Sequence, residues 1–197
     1  MFFLHIKMRK IISKEQEAKK RKRNQLILAG ILIIVMVGST FGIIVNSFGQ
    51  NGVNEAIEYN GYKFTNSNGF WVLNQGAYTF MFKYNPEQVE KISSELNYLN
   101  EYSSKPLYIF SEDYVAEVEI YRNLGQIVER FQGACPNETG CKENWPIKDC
   151  SNNFIIIKES EQNSITQEEN CVFIKGRTEN LTQLTDEFLF KILGIEK

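Results

Sequence analysis

From Asn24 to Asn54 the chain carries no charged residue, and within that window Leu26 to Val45 reads LILAGILIIVMVGSTFGIIV. A run of about 20 residues at about 1.5 Å rise per residue reaches about 30 Å, the thickness of a hydrocarbon core. In hydrocarbon a single segment satisfies its backbone N–H and C=O groups only as a helix. The run therefore predicts a transmembrane helix over 26–45.

The charge on either side gives that helix a direction. Residues 1–25 hold nine basic and two acidic residues, a net of +7, whereas the rest of the chain holds 13 basic and 22 acidic residues, a net of −9. Basic residues flanking a span stay cytoplasmic. The expected order is a basic cytoplasmic tail (1–25), the span (26–45), a polar linker (46–55) and a domain outside the cytoplasm (56–197). Met8 reads as a second start, because 8–23 by itself makes a complete basic tail. The competing reading is a cleaved signal peptide, with Ser47 and Gly49 as a small-x-small site. An apolar run of this length behind so long a tail favours an uncleaved signal-anchor in the cell membrane.

Gly38 and Gly42 form a G-x-x-x-G pattern inside the run, which lets two helix backbones approach closely. A homodimer through this helix is thus one expected partnership, the lipid bilayer a second, and an envelope or surface protein a third. The basic tail adds contact with anionic headgroups. Nucleic acid is not expected, since a domain of net −9 repels phosphates.

All four cysteines, Cys135, Cys141, Cys150 and Cys171, lie beyond the run. An even count in an extracytoplasmic domain reads as two disulfides, with three possible connectivities. The expected pairs are Cys135–Cys141, closing the loop CPNETGC, and Cys150–Cys171. A four-cysteine zinc site normally shows paired knuckles of two to four intervening residues, and a thioredoxin-like centre needs C-x-x-C. Neither spacing occurs, so no metal and no cofactor are expected. The single histidine is His5, in the tail. The outer domain therefore has no route to Ser-His-Asp, Cys-His or histidine–zinc chemistry. No catalytic residue is assigned. Two N-x-[ST] sequons begin at Asn137 and Asn180, both on the expected outer side.

Strands are expected near 58–66, 70–74 and 77–84, with Tyr78, Phe80, Phe82 and Tyr84 on one face of the last. That aromatic stripe reads as core, with a stacking platform for sugars or peptides as the alternative. Asn85-Pro86-Glu87-Gln88 has the form of a helix start, and Val89, Ile92, Leu96 and Leu99 recur at helical spacing to about residue 100. The run LYIF (107–110) predicts a strand. A helix from about 113 to 133 follows, with Val115, Val118, Tyr121, Leu124, Ile127, Val128 and Phe131 on its apolar positions. After a cysteine loop come strands NFIIIK and CVFIKG, joined by a polar loop. A last helix starts at Asn180 or Thr182 and is capped by Gly194. The order β-β-β-α-β-α-β-β-α predicts a mixed α/β sandwich with one sheet and helices mainly on one face.

Ser111, Glu112 and Asp113 stand at the C-terminal end of the LYIF strand, the edge where open α/β sheets bind ligands. They are the candidate ligand edge, although the same residue types make ordinary helix caps. The acid pairs Glu117/Glu119 and Glu168/Glu169 read as solvated faces. No phosphate loop, dinucleotide turn or G-x-S-x-G is present.

The basic tail and span, together with YNGYKF, YNP before an expected helix, CPNETGC, NCVFIKG and the ending DEFLFKILGI, resemble uncharacterised single-pass membrane proteins of small-genome, host-dependent archaea (DPANN-type). The resemblance covers about a fifth of the chain and implies a surface-exposed domain without known site residues. The expected function is a membrane-anchored extracytoplasmic binding or interaction domain. The alternatives are a structural subunit of a cell-envelope complex and a hydrolase working with carboxylates alone.

Overall fold

The structure is a computed structural model that describes residues 14–49, 55–136, 141 and 144–196. It divides into two compact units, 1–53 and 54–197. In the first, helix α1 runs unbroken over Lys14–Gly49, 36 residues. It takes in the whole apolar run and the basic cluster before it. Its side chains are described over 18–36, where Leu26, Ile27, Leu28 and Ile31 to Met36 are more than half exposed. Among the described residues no helix is long and apolar enough to cross a membrane. The side chains of the second half of the run, including the positions of Gly38 and Gly42, lie outside the described residues.

The second unit is mixed α+β with two sheets, not the single sheet expected. Strands β1 (Ala56–Tyr59), β2 (Tyr62–Ser67), β3 (Phe70–Gln75) and β4 (Tyr78–Phe82) form an antiparallel meander. The expected strand over 58–66 is a hairpin instead. Asn60 and Gly61 both take positive φ, 48° and 81°, the conformation a two-residue hairpin turn demands. Asn68-Gly69 repeats the device between β2 and β3.

The second sheet contains β5 (Pro106–Ser111), β6 (Arg130–Gly133), β7 (Phe154–Glu159), β8 (Ser164–Glu168) and β9 (Cys171–Gly176), in the order β6-β5-β7-β9-β8. Every pairing is parallel except β8 with β9. Helix α2 (Tyr114–Leu124) follows β5, and α3 (Leu181–Ile192) follows β9. Gly194 at φ 72° ends α3, the left-handed cap expected of it.

Three expectations fail here for physical reasons. No helix forms over 85–100. The start motif does make its local bonds: Asn85 N–H donates to Gln88 Oε1 at 3.0 Å and Glu87 N–H to Asn85 Oδ1 at 2.9 Å. Beyond it the chain runs as a strap that ends in a short 3₁₀ turn at Leu99–Glu101. Ile92, Ser94 and Leu96 are half-buried and alternate with exposed neighbours. A spacing of four fits one helical turn and two strand repeats alike, and tertiary bonds decide between them. Asn97 N–H donates to Gln167 of β8, Glu90 accepts from Asn163, and Lys91 is paired with Glu187 and Glu196 of the C-terminal segment.

Next, α2 is shorter than expected, because residues 130–133 leave the helix to become β6. Its buried face is also rotated. Ala116, Glu119, Ile120, Asn123 and Leu124 face inward, while Val115 and Tyr121 are exposed. Last, the polar segment SITQE, expected as loop, is edge strand β8, with Ile165 buried and exposed residues beside it. The observed order of the second unit is β-β-β-β-β-α-β-β-β-β-α.

The main core lies where both helices meet the inner face of the second sheet and the buried face of the meander. Phe64 and Phe82 of the meander close on Phe190 of α3, with ring centroids 5.9 and 4.7 Å from it. A smaller cluster of Tyr108, Ala134, Phe154, Ile156 and Cys171 occupies the opposite face of the second sheet.

Candidate functional site

Parallel sheets are normally covered on both faces. In this one the helices lie against the face of Leu107, Ile109, Ile155, Ile157, Val172 and Ile174. The other face is met by Ala134 and Cys150, from the cysteine-bearing segment between β6 and β7 whose described residues both disulfides hold. Cys135–Cys141 closes the loop and Cys150–Cys171 ties its end to the first residue of β9. The pairing is the one expected. Cys135 N–H donates to Pro146 O at 2.9 Å, and Lys148 N–H to Cys135 O at 2.8 Å. Trp145 lies flat against Gly133, whose missing Cβ would stand 2.7 Å from the ring. Any side chain there would push the loop off β6.

This loop delivers Lys148 to Tyr108, with Nζ 4.5 Å from the ring centroid. Arg130, from the first residue of β6, reaches the same side chain and donates to Tyr108 Oη at 2.9 Å. Tyr108 is 6% exposed. Burial pushes its phenol up, but hydrogen bonds and charge from Lys148 and Arg130 outweigh it and bring the group below its ordinary pKa. Tyr108 lines a polar cleft of about 310 Å³ with Lys105, Pro106, Ser151, Asn152, Asn153 and Asn170. Pro106, Asn153 and Asn170 stand at the N-terminal ends of β5, β7 and β9. The cleft is therefore at the opposite edge of the sheet from the expected one.

Farther along the same face, Lys158 lies over Phe110 at 5.3 Å and Lys175 over Phe173 at 5.4 Å. Lys158 and Lys175 are partners in register on adjacent strands. Among the described residues Arg130, Lys148, Lys158 and Lys175 have no carboxylate within ion-pair distance. Asp149, the carboxylate next to Lys148, accepts from the backbone and hydroxyl of Ser151, and these bonds hold its pKa below the ordinary value.

The expected ligand edge is occupied by its own caps. Asp113 Oδ1 accepts from Ala116 N–H at 2.7 Å and so starts α2, while Ser111 Oγ accepts from Asp113 N–H at 3.1 Å. Glu112 Oε2 accepts from Glu159 N–H at 2.8 Å. Ser111 and Asp113 are thus engaged at the start of α2, while Glu112 bridges to the last residue of β7. Asn180 is half-buried in a one-turn helix and donates to Asn163 Oδ1 at 3.4 Å. Asn137 lies outside the described residues. Among the described residues no group of three or more His, Cys, Asp or Glu side chains is arranged to hold a metal ion.

The carboxyls most displaced from their ordinary range sit elsewhere, in a seam between α2, α3 and β4. Glu119, expected on a solvated face, is 1% exposed, and Asp186 is fully buried. Burial raises both, and the charge of Glu119 raises Asp186 further, while Arg122 opposes the shift at Glu119. Asp186 Oδ1 is buried with no hydrogen-bond partner. Together with Asn123 the two carboxyls serve backbone donors of β4 and of the two residues after it. Asn123 Oδ1 accepts from Met81 N–H (2.8 Å), Glu119 Oε1 from Lys83 N–H (3.0 Å) and Asp186 Oδ2 from Tyr84 N–H (2.8 Å). Arg122 neutralises the remaining Glu119 oxygen at 2.6 Å. Glu187, one residue on, is raised to about 7, chiefly by burial, with Lys91 opposing and Glu196 reinforcing the shift.

Arg130 and Lys148 are not marked by any motif in the sequence. The signal present was the alternation Phe173-x-Lys175 and Ile156-x-Lys158, which places lysines on the same side of two strands as apolar residues, away from the core. Comparisons of the chain with protein-family models, curated proteins and solved structures found no match.

Proposed function

We propose that the chain is a membrane-anchored binding module, with α1 crossing the bilayer over 26–45, the basic tail in the cytoplasm and the disulfide-bonded unit outside. The archaeal resemblance belongs to the same proposal. The observation that carries the binding reading is the division of polar groups. The displaced carboxyls Glu119 and Asp186 are engaged in holding the end of the meander to the helices, whereas the cleft is lined by amides, a hydroxyl, a phenol and one lysine, with Arg130 and Lys148 meeting that phenol beside it. Such a lining recognises a ligand's polar groups, and it contains no acid–base pair of the kind carboxylate hydrolysis needs. The anchor reading rests on the uncharged run within one helix, on its exposed apolar side chains and on the sharp charge step before it.

The test is thiol alkylation of the protein in its native membranes, without reduction, followed by intact mass and by protease treatment of sealed vesicles. The expected result is no alkylation, a mass four hydrogens below the reduced chain, and a domain cleaved only from the outer side. Four alkylated cysteines, or a chain extracted by carbonate without detergent, overturn the reading.

A further inference from the structure

Resting on the binding reading, we infer that Arg130 and Lys148 at Tyr108, on the border of the polar cleft, are a recognition site for the carboxylate of an acidic sugar, such as a hexuronate unit of an envelope polysaccharide, with the hydroxyl-bearing remainder of the sugar in the cleft. Three observations converge on it. Two cations from separate elements, Arg130 of β6 and Lys148 of the disulfide loop, meet at one phenol. Like charges gathered at one point repel, and a bound anion relieves that repulsion. Among the described residues no carboxylate supplies the relief, in a unit whose overall charge is negative.

The neighbouring wall is hydroxyl- and amide-rich: Ser151, Asn152, Asn153 and Asn170 line the cleft. Asn side chains both donate and accept, which suits a ligand dense in hydroxyls. At about 310 Å³ the cleft stands at the small end of ligand sites, which run about 300–1,000 Å³. Those sites are usually apolar, so the polar lining argues against an apolar ligand. The cation pair is also fixed in place. Lys148 is held through its backbone to Cys135, and the loop end through Cys150–Cys171, so the ligand meets a site that is already formed. Recognition of the anion would pass through the guanidinium fork and the ammonium, with the Tyr108 hydroxyl as a third donor.

The experiment uses the full chain in detergent micelles with disulfides intact, titrated by calorimetry with a short oligogalacturonate, with the uncharged oligogalactan of equal length, and with inorganic phosphate. The expected result is saturable binding of the oligogalacturonate and at least tenfold weaker binding of the other two. Arg130→Gln together with Lys148→Gln is expected to weaken it at least tenfold, while Lys158→Gln together with Lys175→Gln changes it less than twofold. Ultraviolet titration of tyrosine is expected to show one phenol rising in the first pair, with an unchanged melting temperature, so that loss of the site is separated from loss of the fold. Equal binding of phosphate, equal binding of the neutral oligomer, insensitivity to the first pair or no binding at all overturns the inference. None of these outcomes touches the alkylation pattern, which tests the anchor separately.

Discussion

On its inner face the five-stranded sheet presents Leu107, Ile109, Ile155, Ile157, Val172 and Ile174 to α2 and α3, and solvent reaches at most 1% of any of them. On its outer face Tyr108, Phe154 and Ile156 are nearly covered, but Phe110 and Phe173 are half-exposed and roofed by lysines. The polar groups differ in the same way. On the helix side Glu119 and Asp186 are buried and accept from the backbone of Lys83 and Tyr84. On the outer side the ammonium groups of Lys158 and Lys175 lie over aromatic rings. A buried acid is tolerable when it replaces water for a strand edge, and a lysine is a workable cover for a ring that no helix reaches.

The largest expected difference between the faces is in packing. Phe188→Ala on α3, buried in the main core, is expected to destabilise by about 3–5 kcal/mol, measured as a shift of the urea midpoint. Phe173→Ala on the outer face, half-buried, is expected to lose about 1 kcal/mol. Equal losses would mean that the outer face is as fully covered as the inner one, and the comparison would break.

Next in size is the staple that the outer face depends on. Replacing Cys150 and Cys171 together by Ser is expected to destabilise the unit by about 2–4 kcal/mol. Hydrogen exchange should locate the loosening in the loop around Lys148 and at the start of β9, leaving α2 and α3 protected. Loosening spread evenly over both faces would show that the loop does not serve the outer face specifically.

The seam is tested by a pair of substitutions. Asp186→Ala removes the acceptor for Tyr84 N–H and is expected to cost about 1–3 kcal/mol. Asp186→Asn keeps that acceptor and removes a charge that burial and Glu119 both disfavour, so at pH 8 its stability should match or exceed that of the parent. An Asn variant as damaged as the Ala variant would show that the buried charge of Asp186 is not a cost to the fold.

The smallest expected effect is a slope. Glu187 has an ordinary pKa of 4.5 and is raised to about 7 in the folded chain. The folded state therefore binds more protons than the unfolded state between those values, and stability falls as pH rises through that window. Glu187→Gln is expected to flatten this part of the thermal-melting profile between pH 4.5 and 7 and to raise the melting temperature at pH 8. A profile unchanged in that window would assign the slope to Glu119 and Asp186, whose raised pKa values act with the same sign.

Much of the second unit is legible before folding is considered. Asn68-Gly69 marks its hairpin because two consecutive left-handed residues are a local steric demand. NFIIIK and CVFIKG declare strands because continuous β-branched and aromatic runs suit a sheet buried on both faces. The disulfide pairing is the favoured one of three that four cysteines allow, and the fold makes the choice. Where local signals are degenerate, legibility stops. The four-residue spacing of Ile92 and Leu96 satisfies helix and strand alike, and the bonds from the strap to Gln167, Asn163 and Glu187 choose the extended form. Glu119 and Asn123 look like solvent-facing residues of α2 until β4 is placed against them.

The site divides along the same line. Residue types and order by themselves determine that the second unit lacks histidine and holds all four cysteines, that an uncharged apolar run follows a basic tail, and that the C-terminal half mixes strands with helices. Those properties depend on composition and on neighbours within a few positions. Tertiary structure decided the rest. It split the strands into two sheets, turned an acid pair inward and brought Arg130 and Lys148, 18 positions apart, to one phenol. Such convergence depends on sheet order and on which loop a disulfide holds, and no local periodicity encodes either.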